Sequence, residues 1–141
     1  MKTGLVFLLA LVVLGAGPGL AQEVALTDPE VAAIQEQTLL PFLSALKKGD
    51  IPAMKKLISR GLLSKNRILL DENREYPAFL RNYYKDISFR VVKAEMDSSG
   101  DVMIFHVSFD SSAGSSGIYE LKLSREKRGK TEKDAWVIGQ F

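Results

Sequence analysis

The sequence predicts an α+β fold in which N-terminal helices pack on a four-stranded antiparallel sheet. Pro29–Lys48 repeats apolar residues at helical spacing over the length of one long helix. After Asp86 the period changes from helical to alternating. The alternating runs are separated by short turn-type segments, which suit an antiparallel meander and are too short for parallel crossovers. A single helix cannot shield its own apolar stripe, and the strands supply the surface it needs.

In the first helix, Val31, Ile34, Thr38, Phe42, Ala45 and Leu46 form the stripe. Glu30, Glu36, Gln37, Lys47 and Lys48 fall on the other side. Thr27 with Glu30 fits a capping box, and Pro29 suits a first turn. Pro41 lies inside the pattern and predicts a kink near Gln37–Leu40 that turns Leu40 and Leu43 inward. Lys47 and Lys48 followed by Gly49 end the helix. Asp50 caps a second helix, with Pro52 in its first turn. Ile51, Met54, Leu57 and Ile58 form its buried edge, and Gly61 is expected to stop it. Leu62–Leu70 has two readings: a short turn capped by Ser64, or an edge strand at Arg67–Leu70. A third helix falls within Asn73–Lys85 and begins between Asn73 and Pro77, with Phe79, Leu80, Tyr83 and Tyr84 crowding one side.

Ile87, Phe89 and Val91 then alternate, and Val92, Ala94 and Met96 continue with opposite parity, so a bulge is expected near Val91–Val92. Ser98–Asp101 is a turn. Met103, Phe105, Val107 and Phe109 line one face of the second strand. Asp110–Gly117 reads as a flexible loop. Tyr119, Leu121 and Leu123 line the third strand, with Glu120 and Lys122 facing out. Arg125–Asp134 is a charged hairpin loop, and Trp136–Phe141 is a final strand whose Trp136 packs inward.

An opening helix, the Gly49-Asp50 junction, a short second helix, Tyr76-Pro77 with Phe79-Leu80, and strands closing on Trp136 and Ile138 together resemble the cystatin-like or nuclear-transport-factor-two-like superfamily. The likeness is to its small exported bacterial domains of unknown function and covers Asp28 to Phe141. It implies a strongly curved sheet wrapped round the long helix, often with a conical pocket at one end. Members include isomerases, dehydratases and non-catalytic binding domains, so the fold does not select the activity.

The chain opens with Lys2, an apolar run at Leu5–Leu14, and small residues at Gly19 and Ala21. This is the pattern of a Sec-type signal peptide spanning residues 1–21, which leaves 22–141 as one α+β domain. The apolar run falls short of the ~18 residues that argue for a membrane span. The expected location is periplasmic or secreted. The sequence has no cysteine. Disulfides, thiol catalysis, thiolate metal sites and a lipoprotein anchor are therefore excluded. A formal charge of +2 gives no reason to expect nucleic acid.

No cofactor or metal is expected. His106 is the single histidine and shares a strand face with Ile104 and Ser108. It reads as a half-exposed strand residue, and one histidine cannot make a His-rich metal site. Phe105, Phe109 and Trp136 read as core, whereas Phe79, Tyr83, Tyr84 and Tyr119 are candidates to bind a small apolar ligand or a periplasmic protein partner. Tyr83 and Tyr84 are adjacent and cannot face the same way, so one of them lies at the rim. The leading expectation is an exported, non-catalytic binding or accessory module. The alternative, implied by the resemblance, is a small lyase or isomerase of the ketosteroid-isomerase kind, using a tyrosine donor and a buried acid. The basic run Lys47, Lys48, Lys55, Lys56, Arg60, Lys65 and Arg67 reads as a solvated helical face, with an anionic membrane surface as its functional alternative.

Overall fold

The structure is a computed structural model that describes residues 21–127 and 134–140. The expected signal segment apart from Ala21, the centre of the charged hairpin and Phe141 lie outside the described residues.

The α+β class holds, but among the described residues the sheet has five strands, not the expected four. They are β1 (Gln22–Val24), β2 (Ile87–Met96), β3 (Val102–Ser111), β4 (Ser116–Lys127) and β5 (Asp134–Gln140). They follow one another across the sheet in chain order, each antiparallel to its neighbour. β1 pairs Gln22 with Met96 and Val24 with Ala94. Three residues with one apolar side chain carry no readable period. This strand exists through ladder hydrogen bonds, which any sequence can supply.

The long helix is built in three parts: α1 (Pro29–Ile34), a π turn (Gln35–Leu39) and α2 (Leu40–Lys48). Its cap is Asp28, not Thr27: the Asp28 carboxylate accepts from the Glu30 amide at 3.0 Å and the Val31 amide at 3.4 Å. Pro41 explains the π turn. It has no N–H to give and its ring crowds the preceding turn, so the helix widens, and the Leu40 amide donates to the Gln35 carbonyl. Only half of the expected re-aiming follows. Leu43 is buried, while Leu40 stays 47% exposed.

Gly49 ends α2 in the left-handed conformation, φ 65°. Asp50 then caps α3 (Ile51–Leu57), accepting from the Ala53 amide at 3.2 Å. α3 stops before Gly61. Ile58 turns extended and forms a parallel bridge with Ile138, and the Ser59 amide donates to the Ile138 carbonyl at 2.8 Å. Burial of Ile58 against β5 outweighs continued helix. Gly61 falls inside α4 (Arg60–Lys65), which Ser59 caps through the Leu62 amide. Neither reading of Leu62–Leu70 stands, because a second π turn (Ile68–Glu72) follows α4. The third expected helix is α5 (Tyr76–Tyr84).

On β2 the register steps from Val91↔Val107 to Lys93↔His106, leaving Val92 as the bulged residue. The step returns Ala94 to the helix-facing side, where it is fully buried with Met103, Phe105, Val107, Leu121 and Leu123. Phe42 and Leu39 close this core from the long helix. Thr38, also buried, donates its hydroxyl to the Trp136 carbonyl at 3.0 Å and ties the helix to β5. β3 and β4 run longer than expected, so the Asp110–Gly117 loop shrinks to residues 112–115. Likewise Arg125 and Lys127 pair with Trp136 and Asp134 as strand. Trp136 does pack against the core, but only half-buried, with the Arg125 guanidinium 5.0 Å from its ring centre.

Candidate functional site

At one end of the sheet the helix-facing side is not fully covered. α5 anchors there through Leu80, which is buried, and Tyr84, which is half-buried. Phe79 and Tyr83 lie four residues apart and therefore share the adjoining flank, 55% and 58% exposed. The rings form an unbroken row. Tyr76 stacks on Phe79 at 6.2 Å, Phe79 on Tyr83 at 5.7 Å, and Tyr83 meets Tyr84 edge-on at 4.8 Å. Tyr84 passes the row to Phe109 at 6.2 Å, and Phe109 to Tyr119 at 4.6 Å. Phe89 braces it from below, 4.8 Å from Phe109.

Tyr119, 54% exposed, lies over Gly117 two residues before it on β4. A Cβ at Gly117 would come within 3.3 Å of the Tyr119 ring, so glycine leaves the room that the lying ring uses. Tyr83, Tyr84, Phe109, Tyr119 and Leu121 line a cleft of about 210 Å³ with no carboxyl group among them. Burial, then the neighbouring Tyr83, Tyr76 and Tyr119, push the Tyr84 phenol above its ordinary value. The Tyr84 hydroxyl therefore stays neutral.

The four candidates from the sequence thus sit on one ridge. Tyr83, Tyr84 and Tyr119 line the cleft, Phe79 extends the row outside it, and Tyr83 is the rim residue of the adjacent pair. Phe109 packs against the core as expected, but it is only half-buried and also lines the cleft. Alternation placed Phe89 and Phe109 on the correct face. Nothing in the sequence marks where along a strand the helices cease to cover it.

His106 lies on the opposite face of the sheet and is more enclosed than expected. Its side chain is 13% exposed, with Nε2 2.5 Å from a Glu95 oxygen and Nδ1 3.9 Å from a Glu120 oxygen. Along the same strand the Ser108 hydroxyl donates to Asp110 at 2.6 Å, and Arg90 stands 3.5 Å from Asp110. Apart from the Ser108–Asp110 bond within β3, these are cross-strand pairs of a polar sheet face. No group of three or more metal-type side chains is assembled among the described residues.

The basic run is broken up by partners. Lys47 donates to the Ile87 carbonyl at 2.7 Å, Lys55 pairs with Asp71, Arg60 lies 3.8 Å from Glu126, and Arg67 lies 3.7 Å from Glu72. No helix among the described residues is long and apolar enough to cross a membrane. Comparison with protein-family models, curated proteins and solved structures gave no match.

Proposed function

We propose that this chain is an exported, non-catalytic accessory module that docks another protein through its aromatic ridge. The observation that carries the reading is the continuous row of rings from Tyr76 to Tyr119, three of them more than half exposed. Exposed aromatic side chains over a half-buried base are the usual anchors of protein interfaces, because they bury large area at little entropic cost. The cleft takes in only part of the row, since Tyr76 and Phe79 lie outside its lining. A partner that lays apolar side chains along the whole ridge uses it better than a compact ligand. The absence of a carboxyl group from the cleft lining favours binding over proton transfer at this place. Export rests on the N-terminal pattern of Lys2, Leu5–Leu14, Gly19 and Ala21. A long helix broken near Pro41 and seated on an antiparallel meander supports the cystatin-like or nuclear-transport-factor-two-like relation.

The test is native mass spectrometry of protein recovered from its own cell envelope. A retained protein partner should be lost from the double variant Tyr83→Ser with Tyr119→Ser and kept by Lys56→Gln. Both tyrosines are exposed but keep ring contacts, so the double variant should lose about 1–3 kcal/mol and stay folded, whereas Lys56→Gln should melt within about 0.5 kcal/mol of the parent. A partner retained by the double variant overturns the ridge as the docking site.

A further inference from the structure

The helical end of the domain carries a second concavity, bordering the ridge only at Tyr76. We infer that it binds a single-chain carboxylate amphiphile, with the alkyl tail between α3, α4 and α5 and the acid head at Lys65. The tail site is a cavity of about 230 Å³ whose walls include Met54, Ile58, Leu62, Leu69 and Leu70. Met54, Ile58 and Leu70 are buried, so the walls are held by the core and the cavity is preformed. Its apolar wall is made of Met, Ile and Leu side chains, which suit an alkyl chain.

Lys65, Asn66 and Leu69 also line an adjoining recess of about 350 Å³, where Ser64, Arg67 and Asn73 join them. One wall therefore passes from apolar to cationic within a few residues. No carboxyl group lines either space. Arg67 has Glu72 at 3.7 Å, but Lys65 makes no ion pair among the described residues. The Asn73 side-chain oxygen accepts from the Glu75 amide at 3.0 Å, which leaves its NH₂ group as a donor. Burial raises the Tyr76 phenol above its ordinary value, so it too remains a neutral donor on the cavity wall. The π turn Ile68–Glu72 lies between the donors Lys65 and Asn66 on one side and Asn73 and Tyr76 on the other, and such turns recur at functional sites. An ammonium without a carboxylate partner at the mouth of an apolar cavity is the complement of a carboxylate on an alkyl chain.

Octanoate is the probe, titrated into the full chain and followed by amide chemical shifts. Saturable shifts are expected within residues 54–76. Hexanoate should bind up to about sixteen-fold more weakly, roughly fourfold for each methylene lost. Neutral 1-octanol should bind about tenfold more weakly than octanoate, and Lys65→Gln should abolish that difference while leaving octanol unchanged. Lys65 is exposed, so this variant should fold. Three results overturn the inference: no saturable shifts, shifts confined to the Tyr83–Tyr119 cleft, or equal affinity of octanol and octanoate for the parent. None of these outcomes depends on the ridge docking a protein.

Discussion

Gly49 sits against the backbone carbonyl of Pro77: a Cβ at Gly49 would fall 2.3 Å from that oxygen. The contact seats the start of α5 on the end of α2, and so fixes where Tyr76, Phe79 and Tyr83 emerge. Gly49 also holds φ 65°, a conformation that glycine adopts without strain.

Gly49→Ala therefore combines left-handed strain with a backbone clash, and should cost about 3 kcal/mol. Gly100 provides the control: its φ is 78°, and a Cβ there would meet nothing within 4 Å. Gly100→Ala should cost only the strain, about 1 kcal/mol. Urea melts of the two variants separate the effects, and equal costs would mean that α5 moves aside freely.

Trp136 is less buried, and His106 more enclosed, than their strand patterns suggest. Trp136 is half-buried, and its bond from Thr38 uses the backbone carbonyl, which survives substitution. Trp136→Ala should thus cost about 2–3 kcal/mol, less than the roughly 3–5 kcal/mol of a fully buried aromatic such as Phe42. His106→Ala removes the partner of Glu95 and should cost about 1–2 kcal/mol. Urea midpoints decide both. A His106→Ala variant within about 0.5 kcal/mol of the parent would make its cross-strand pairs energetically idle.

Tyr84 gives a pH dependence. Its phenol is held above 10.0 in the folded chain, chiefly by burial and then by Tyr83, Tyr76 and Tyr119. Below that value both folded and unfolded states keep the proton, and the contribution is fully present. As pH rises past it, the unfolded chain ionises first, so stability falls. Urea midpoints between about pH 9 and 11.5 should drop less steeply for Tyr84→Phe than for the parent, since lysine titration is common to both. Identical slopes would place Tyr84 in solvent.

Much of the fold was legible because periodicity reports burial. The stripe from Val31 to Leu46 appears as the buried face of the long helix, and the parity change after Val91 appears as a bulge at Val92. The residue types at Gly49 and Asp50 announced a helix end and a cap, since local backbone geometry there depends on local chemistry.

The sequence by itself determined that helices precede the four longer strands of an antiparallel sheet, where most of them turn, and which side chains face inward. Only the tertiary structure decided the rest. β1 pairs through backbone groups, so its side chains do not advertise it. Ile58 leaves its helix because Ile138 offers a better place for it. Tyr119 and Phe109 have the same parity as the buried Leu121 and Val107, yet they line an open cleft. Parity sets the face of a strand, whereas the length of the covering helices sets how far along it water is excluded. That second quantity depends on Gly49 meeting Pro77 across the fold, and no local pattern encodes it.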